Sequence, residues 1–423
     1  MITLIEALNF RCLHYIHQPL GPFHVLVGPN ASGKTTFLDV IAFLGRLVSD
    51  GLDDAIRERT QNFKDLTWGR EGNSFELAIE AAIPADCHSK FKDKDFRTIR
   101  YEIGIGIDNE SGENIIKNEK VVIKKSGEFP GTEKKNQKEL FPALKDTIPK
   151  TIITPRIQIP HRTVVYKSRG KDYFASELQP ESENKWANSF KLGPRKSALG
   201  NLPEDESKFP ASTWLKKFLN EGIQQFILNS QLMRKASPPG QVRGFKPDGS
   251  NLPWVIDNLQ KKNPGKFQDW IFHLQTALPD IENIRTVERP DDKHRYLMLC
   301  YRGGLEVPSW MASDGTLRLL ALTLPAYLPG LTGVFLIEEP ENGIHPRAVD
   351  SAYQSLSSVY DAQVLLATHS PVILSMVDVD KVLCFAKTPE GETDIVRGID
   401  HPNLKDWKGE VNLGDLFAGG VLE

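Results

Sequence analysis

The 423-residue sequence predicts an α/β fold, on three observations. A glycine-rich loop stands between an apolar strand pattern and an amphipathic helix pattern. A block of alternating apolar and polar residues follows it, the mark of half-buried antiparallel strands. Toward the end of the chain, two short uninterrupted apolar runs have the character of buried parallel strands. The expected architecture is an α/β core with an antiparallel β lobe and a helical insertion.

Each element has its own warrant. The N-terminal part reads as two short strands, "ITLIEAL" and "FHVLVG", joined by a loop. After the glycine-rich loop, "TTFLDVIAFLGRLV" places Phe37, Val40, Ile41, Leu44, Leu47 and Val48 on one face of a helix. "FELAIEAAI", "IRYEIGIGI" and "KVVIKK" alternate, and form the β lobe from about 74 to 125. Residues 126-210 are polar and rich in turn formers, which predicts mostly loops. Helical patterns return over 211-285, in "STWLKKFLNEGIQQFIL", "NLPWVIDNLQKK" and "FQDWIFHLQTAL". No sustained heptads accompany them, so no long coiled-coil arm is expected. In the last third, "VFLI" and "AQVLLAT" are the two buried-strand runs. The expected division is one domain from 1-125 and 286-423, interrupted by a loop-rich and helical lobe at 126-285.

Composition narrows the class. The chain is 40% hydrophobic and 25% charged, as globular proteins are, and its formal net charge of -3 excludes a wholesale polycation. Four scattered cysteines (Cys12, Cys87, Cys300, Cys384) have no paired metal-ligand spacing and read as reduced thiols of a cytoplasmic protein. The N-terminus lacks the basic start of a signal peptide. "TLRLLALTLPAYLPGLTGVFLI" is apolar enough to suggest a membrane span, but Arg318, Pro325 and Pro329 make a helix, a turn and a strand the better reading. No membrane partner is expected.

The chemistry begins at "GPNASGKT", Gly28 to Thr35, which fits G-x-x-x-x-G-K-[ST]. Gly28 and Gly33 permit tight turns, so backbone N–H groups at a helix start can face phosphates. Lys34 reaches the terminal phosphates of a nucleotide, and the Thr35 hydroxyl suits Mg²⁺. Such a loop needs an acid for its metal. "VFLIEE" supplies two, about 300 positions downstream. Side by side at a strand tip they would repel, unless a dication and a reacting water demand them. Glu338 is expected to hold Mg²⁺, directly or through water. Glu339 is expected to orient and polarise the attacking water at the γ-phosphate. Ser313, Asp314, Gly315 and Thr316 precede an apolar helix, with Ser313 25 positions ahead of Glu338, and offer a second anion-binding helix end. His369 follows a short apolar strand, 30 positions beyond Glu339, as a candidate γ-phosphate sensor.

In this order the motifs resemble the ABC-type ATPase heads of the RecF, SMC and OLD group. More narrowly they resemble stand-alone bacterial "AAA family ATPase" proteins with OLD-like heads. The resemblance rests also on "SDGLDDAIRERTQNFKDLTWG", "KPDGSNLPWVIDNL", "SDGTLRLLALTL", "IEEPENGIHP", "ATHSP" and "LGDLFAGG". It implies an ABC-type P-loop head that binds and hydrolyses ATP with Mg²⁺. Gly28, Pro29, Asn30, Ala31, Ser32, Gly33, Lys34, Thr35 and Thr36 take the phosphate-loop role, with Arg11 of "NFR" as a further phosphate candidate. Thr35 and Glu338 face the metal, Glu338 standing where Asp is usual. Glu339 and His369 are catalytic. Ser313 to Thr316 form the signature that completes a partner's ATP site in trans, with Asp314 replacing the first glycine of the commoner version. Glu341, Asn342 and His345 lie in the loop that crosses the dimer interface. No Q-loop glutamine can be placed.

The resemblance implies an ATP-dependent homodimer or higher homo-oligomer, with ATP acting as glue between two heads. Only 54 residues (423 less 369) follow His369, too few for the TOPRIM nuclease domain of many OLD relatives. An effector, nuclease-like or a toxin, is therefore expected as a separate chain. Asp378 to Asp380 read as a turn. The leading function is an ATPase controlling that effector in bacterial anti-phage defence or a toxin-like system. The alternative is a RecF-like repair or recombination ATPase that clamps DNA. The basic clusters "KFKDKDFRTIR" and "KNEKVVIKK…EKKNQK" are of mixed charge and read as a solvated face first, DNA or protein contact second.

Overall fold

The computed structural model describes residues 1–125, 148–155, 161–168, 171–178, 188–242, 244–404 and 412–420. The second of the two basic clusters extends beyond them. The described chain divides into two compact units. The first comprises 1–20, 36–223 and 387–394; the second comprises 21–35, 224–386 and 395–423.

The first unit is organised by an eight-stranded antiparallel sheet. Its strands are β1 (Ile2–Phe10), β2 (Leu13–Pro19), β4 (Ser74–Ala82), β5 (Phe96–Ile107), β6 (Asn114–Lys125), β7 (Arg162–Ser168), β8 (Lys171–Phe174) and β9 (Asn188–Phe190), in the order β2-β1-β4-β5-β6-β7-β8-β9. The strand predicted at the N-terminus is thus a hairpin, β1 with β2, and "FHVLV" is a third strand, β3 (Phe23–Val27), of the second unit. The alternating lobe at 74–125 is as expected, but the sheet runs on through β7 to β9, where mostly loops were expected. The signal was present in "RTVVYKS", a short β-branched stretch whose Val164 and Val165 are buried. Short strands of this kind owe their conformation to the neighbour they pair with. Helices α1 (Lys34–Asp50), α2 (Leu52–Arg57), α3 (Ala85–Ser89) and α4 (Pro210–Glu221) complete the unit from Thr36 onward. Phe43 of α1 packs edge-on against Phe10 and Phe75 of the sheet, at 5.9 and 5.7 Å between ring centres.

The second unit is built on a six-stranded sheet ordered β10-β14-β15-β3-β16-β17. Its strands are β10 (Ile223–Phe226), β14 (Gly333–Glu338), β15 (Ala362–Ala367), β3, β16 (Val382–Lys387) and β17 (Thr393–Arg397). The pairs β14/β15, β15/β3 and β3/β16 are parallel. Val334 to Ile337 and all six residues of β15 are buried, which is why these strands read as unbroken apolar runs. A small antiparallel sheet joins β11 (Ile281–Glu288), β12 (Arg295–Tyr301) and β13 (Glu306–Pro308). Around them lie α5 (Ser230–Arg234), α6 (Leu252–Lys262), α7 (Pro264–Ala277), α8 (Asp314–Thr323), α9 (Pro346–Ser357), α10 (Pro371–Leu374) and α11 (Leu413–Ala418).

The apolar stretch from Thr316 to Ile337 is α8, a 3-10 turn and β14 in succession. Among the described residues, no helix is long and apolar enough to cross a membrane. Val379–Lys381 is a turn leading into β16, as expected for "DVD". The stretch from 126 to 285 is not one packing unit: α4 belongs to the first unit, and α5 to α7 to the second. The helix predicted over "STWLKKFLNEGIQQFIL" is also shorter than expected. It stops at Gly222, the C-cap of α4, and "IQQF" becomes β10 beside β14.

Candidate functional site

The Gly28–Thr35 loop joins β3 to α1. Gly28, Ala31 and Gly33 have φ of 143°, 62° and 107°, and residues in left-handed conformation turn successive N–H groups toward one side of a loop. Gly28 also has no room for a side chain: a Cβ there would lie 2.1 Å from the Phe385 carbonyl oxygen of β16. The loop is therefore seated directly on the backbone of the core sheet. Lys34 is buried, and its Nζ donates to the carbonyls of Gly28 and Pro29 at 2.7 and 3.0 Å. Burial pushes its pKa down, while the nearby charges of Glu339 and Glu338 pull it up.

Glu338 ends β14 and meets Thr35 directly: the Thr35 hydroxyl donates to its Oε2. Its Oε1 faces Gln225 of β10, whose Nε2 stands 3.5 Å away. The glutamate carboxylate thus meets a hydroxyl on one oxygen and a carboxamide on the other. Gln225 is the functional candidate the sequence reading missed. Its stretch fits the helical pattern upstream, and only the helix stop at Gly222 would have signalled a strand.

Glu339 lies beyond the strand end in the left-handed region, at φ 47°. A non-glycine residue there costs about 1 kcal/mol or more and persists only where its surroundings hold it. Here its N–H donates to the Ala367 carbonyl at 2.8 Å, tying the tips of β14 and β15. Its carboxylate accepts from the Asn342 side chain. Glu341 reaches the end of β15, where its Oε1 accepts from the Thr368 hydroxyl at 2.6 Å and the His369 N–H at 3.1 Å. His369 is half-buried, and among the described residues its imidazole has no hydrogen-bond partner. Of the loop residues, Asn342 and His345 are exposed, and His345 caps α9 by accepting from the Arg347 N–H.

Ser313 caps α8: its Oγ accepts from the Thr316 N–H at 3.1 Å and lies 2.8 Å from the Thr316 hydroxyl. Gly315 packs on the loop after β14, where a Cβ would sit 2.8 Å from the Gly343 carbonyl oxygen. Asp314 pairs with Arg234. The fold therefore joins the Ser313–Thr316 segment to the 339–345 loop, and that loop to His369. It joins the phosphate loop to Glu338 and Gln225. Arg11, in contrast, is paired with Asp39 of α1 at 3.0 Å, and Arg59 holds the same carboxylate.

A family model described as "AAA domain, putative AbiEii toxin, Type IV TA system" matches residues 23–375. The chain belongs to that family. This AAA-domain protein is 51% identical over 41 residues to an OLD nuclease of Thermus scotoductus, a match that spans 10% of this chain and 8% of that relative. Among solved structures it is similar to the Smc head bound to the C-winged helix domain of ScpA, with a TM-score of 0.52 and 13% identity, over 93% of this chain and 97% of that one. The Smc head with an extended coiled coil, bound to the C-terminal domain of ScpA from Pyrococcus furiosus, gives 0.50 and 13% over 93% and 95%. The AAA-domain protein thus has the fold of an ABC-type, SMC-like ATPase head with an OLD-like sequence relationship, and it is a nucleotide-binding type of domain.

Proposed function

We propose that this chain is a Mg²⁺-dependent ATPase whose ATP-bound copies pair, and whose pairing controls a separate effector protein in a bacterial defence or toxin-like system of the cytoplasm. One observation carries the reading: the carboxylates of Glu338 and Glu339 stand at one strand tip beside Thr35 and Lys34.

Thr35 and Glu338 offer hard oxygen donors, few in number, which suits an ion that keeps several of its waters. Mg²⁺ held there would supply charge neutralisation to a nucleotide's phosphates. Lys34, poised on the carbonyls of Gly28 and Pro29, swings to the phosphates when the triphosphate displaces those bonds. Gln225 steadies Glu338 from the opposite side. Glu339, held by the β14–β15 tie and by Asn342, accepts the proton of the attacking water or fixes its direction. His369 has ring nitrogens available for a γ-phosphate oxygen, and Glu341 sets its backbone. The second copy's Ser313–Thr316 segment closes the site from outside.

The toxin and toxin–antitoxin description of the family and the OLD nuclease relationship support the effector reading. Protein-bound Smc heads support a protein partner. The test is Glu339→Gln. Turnover should fall roughly 100-fold or more while ATP affinity is kept, and a stable ATP-bound dimer should accumulate. Turnover at the wild-type rate would refute the assignment. Purification of the native complex with ATP then identifies the partner, and strong, steeply salt-dependent stimulation by DNA would favour the DNA-clamping alternative.

A further inference from the structure

The signature segment carries an acid, Asp314, at the first position of α8. Within one chain that is favourable, since a carboxylate in a first helical turn complements the helix dipole. Toward an incoming polyphosphate it is unfavourable, because it places like charge at the helix end that must receive the anion. The fold supplies a counter-charge from a different element. Arg234, the last residue of α5, reaches Asp314 Oδ1 through Nη2 at 2.7 Å. The same guanidinium donates to the Ala312 carbonyl from Nε at 3.3 Å and Nη2 at 3.0 Å, so its plane is fixed. The Ser309 hydroxyl in turn donates to the Arg234 carbonyl at 3.1 Å. The side chains are 27% and 54% exposed, so the pair lies at the surface, within reach of a docking anion.

Resting on the reading that Ser313–Thr316 meet the triphosphate of a second copy, we infer that Arg234 is a positioning residue that neutralises Asp314 and so lets the polyphosphate approach α8. Its need follows from Asp314: a chain with glycine at that position would not require it. Arg234 also occupies the Ala312 carbonyl oxygen, a negative dipole end one residue before Ser313.

The test is a two-residue cycle. ATP-dependent association is measured by light scattering in the Glu339→Gln background, and turnover in the Glu339 background. Arg234→Ala should raise the chain concentration for half-association about tenfold and lower turnover in proportion. Arg234→Ala with Asp314→Gly should recover to within about twofold of the parent, since removing the acid removes the need for its partner. The Arg234→Ala defect should also shrink between about 50 mM and about 500 mM salt, as exposed charges are screened. Parent-like behaviour of Arg234→Ala overturns the inference, as does a defect that persists undiminished in the double variant, which would mark Arg234 as a packing residue. If the parent itself neither associates with ATP nor turns it over, the reading of the whole site fails, irrespective of these variants.

Discussion

Glu339 and Gly28 show what single positions contribute. Glu339 sits in a backbone conformation that few non-glycine residues adopt, with its N–H and carboxylate each held by a named neighbour. Gly28 is the reverse: it has φ 143° and a carbonyl where a Cβ would go. Gly28→Ala should therefore move the phosphate loop off β16. The expected cost is about 2 kcal/mol or more of stability, with loss of nucleotide binding. Denaturant titration and ATP-analogue binding check the two effects separately. Arg11 belongs to the same scale. Its sequence context suggests a phosphate contact, and in this structure it pairs with Asp39.

At the scale of elements, α4 illustrates capping from a distance. Its N-cap, Phe209, has no side chain able to accept a hydrogen bond. Glu177 takes that role: Oε2 accepts from the Ala211 N–H at 2.7 Å and Oε1 from the Ser212 N–H at 2.8 Å. Burial raises its pKa to about 7, against the pull of these donors and of Arg162. A carboxyl with a folded pKa above its unfolded one contributes stability that is full below the unfolded value of 4.5 and is lost as pH rises through about 7. The wild-type chain should therefore lose up to about 3 kcal/mol from this group between about pH 5 and about pH 8. Glu177→Gln cannot ionise, so its stability relative to wild type should rise across that range. Urea titrations of both proteins at several pH values measure the difference, and parallel pH curves would remove Glu177 as the cause. The 339–345 loop is a second such element. Through Glu341 and Gly343 it touches both the end of β15 and the start of α8, which links the segment after Glu339 to Ser313–Thr316.

For the whole molecule, the proposed function requires two copies to complete each site. Lys34→Ala disables the phosphate loop, and Ser313→Arg blocks the signature. Each variant alone should be inactive. Mixed in equal amounts they should regain about a quarter of wild-type turnover. Half the dimers are then mixed, and in a two-fold arrangement each mixed dimer has one intact site. Steady-state ATPase assays on the mixture check this. Recovery near zero would mean that each chain completes its own site.

The motifs of the candidate site were legible because their signals are local. A phosphate loop is eight consecutive residues with fixed backbone needs, and a strand buried on both faces announces itself as an apolar run ending in its acids, as β14 does before Glu338 and Glu339. The parallel core, the antiparallel lobe and the helix–turn–strand path from Thr316 to Ile337 follow from the same kind of signal. Periodicity reports whether a face is buried, and says nothing of which distant element covers it. Tertiary structure alone decided that "IQQF" leaves the helical pattern and brings Gln225 to Glu338, that β7 to β9 extend the lobe, that Glu341 reaches His369, and that Arg234 answers Asp314. Each is a pairing between groups far apart in the chain, and such pairings are set by topology and not by composition.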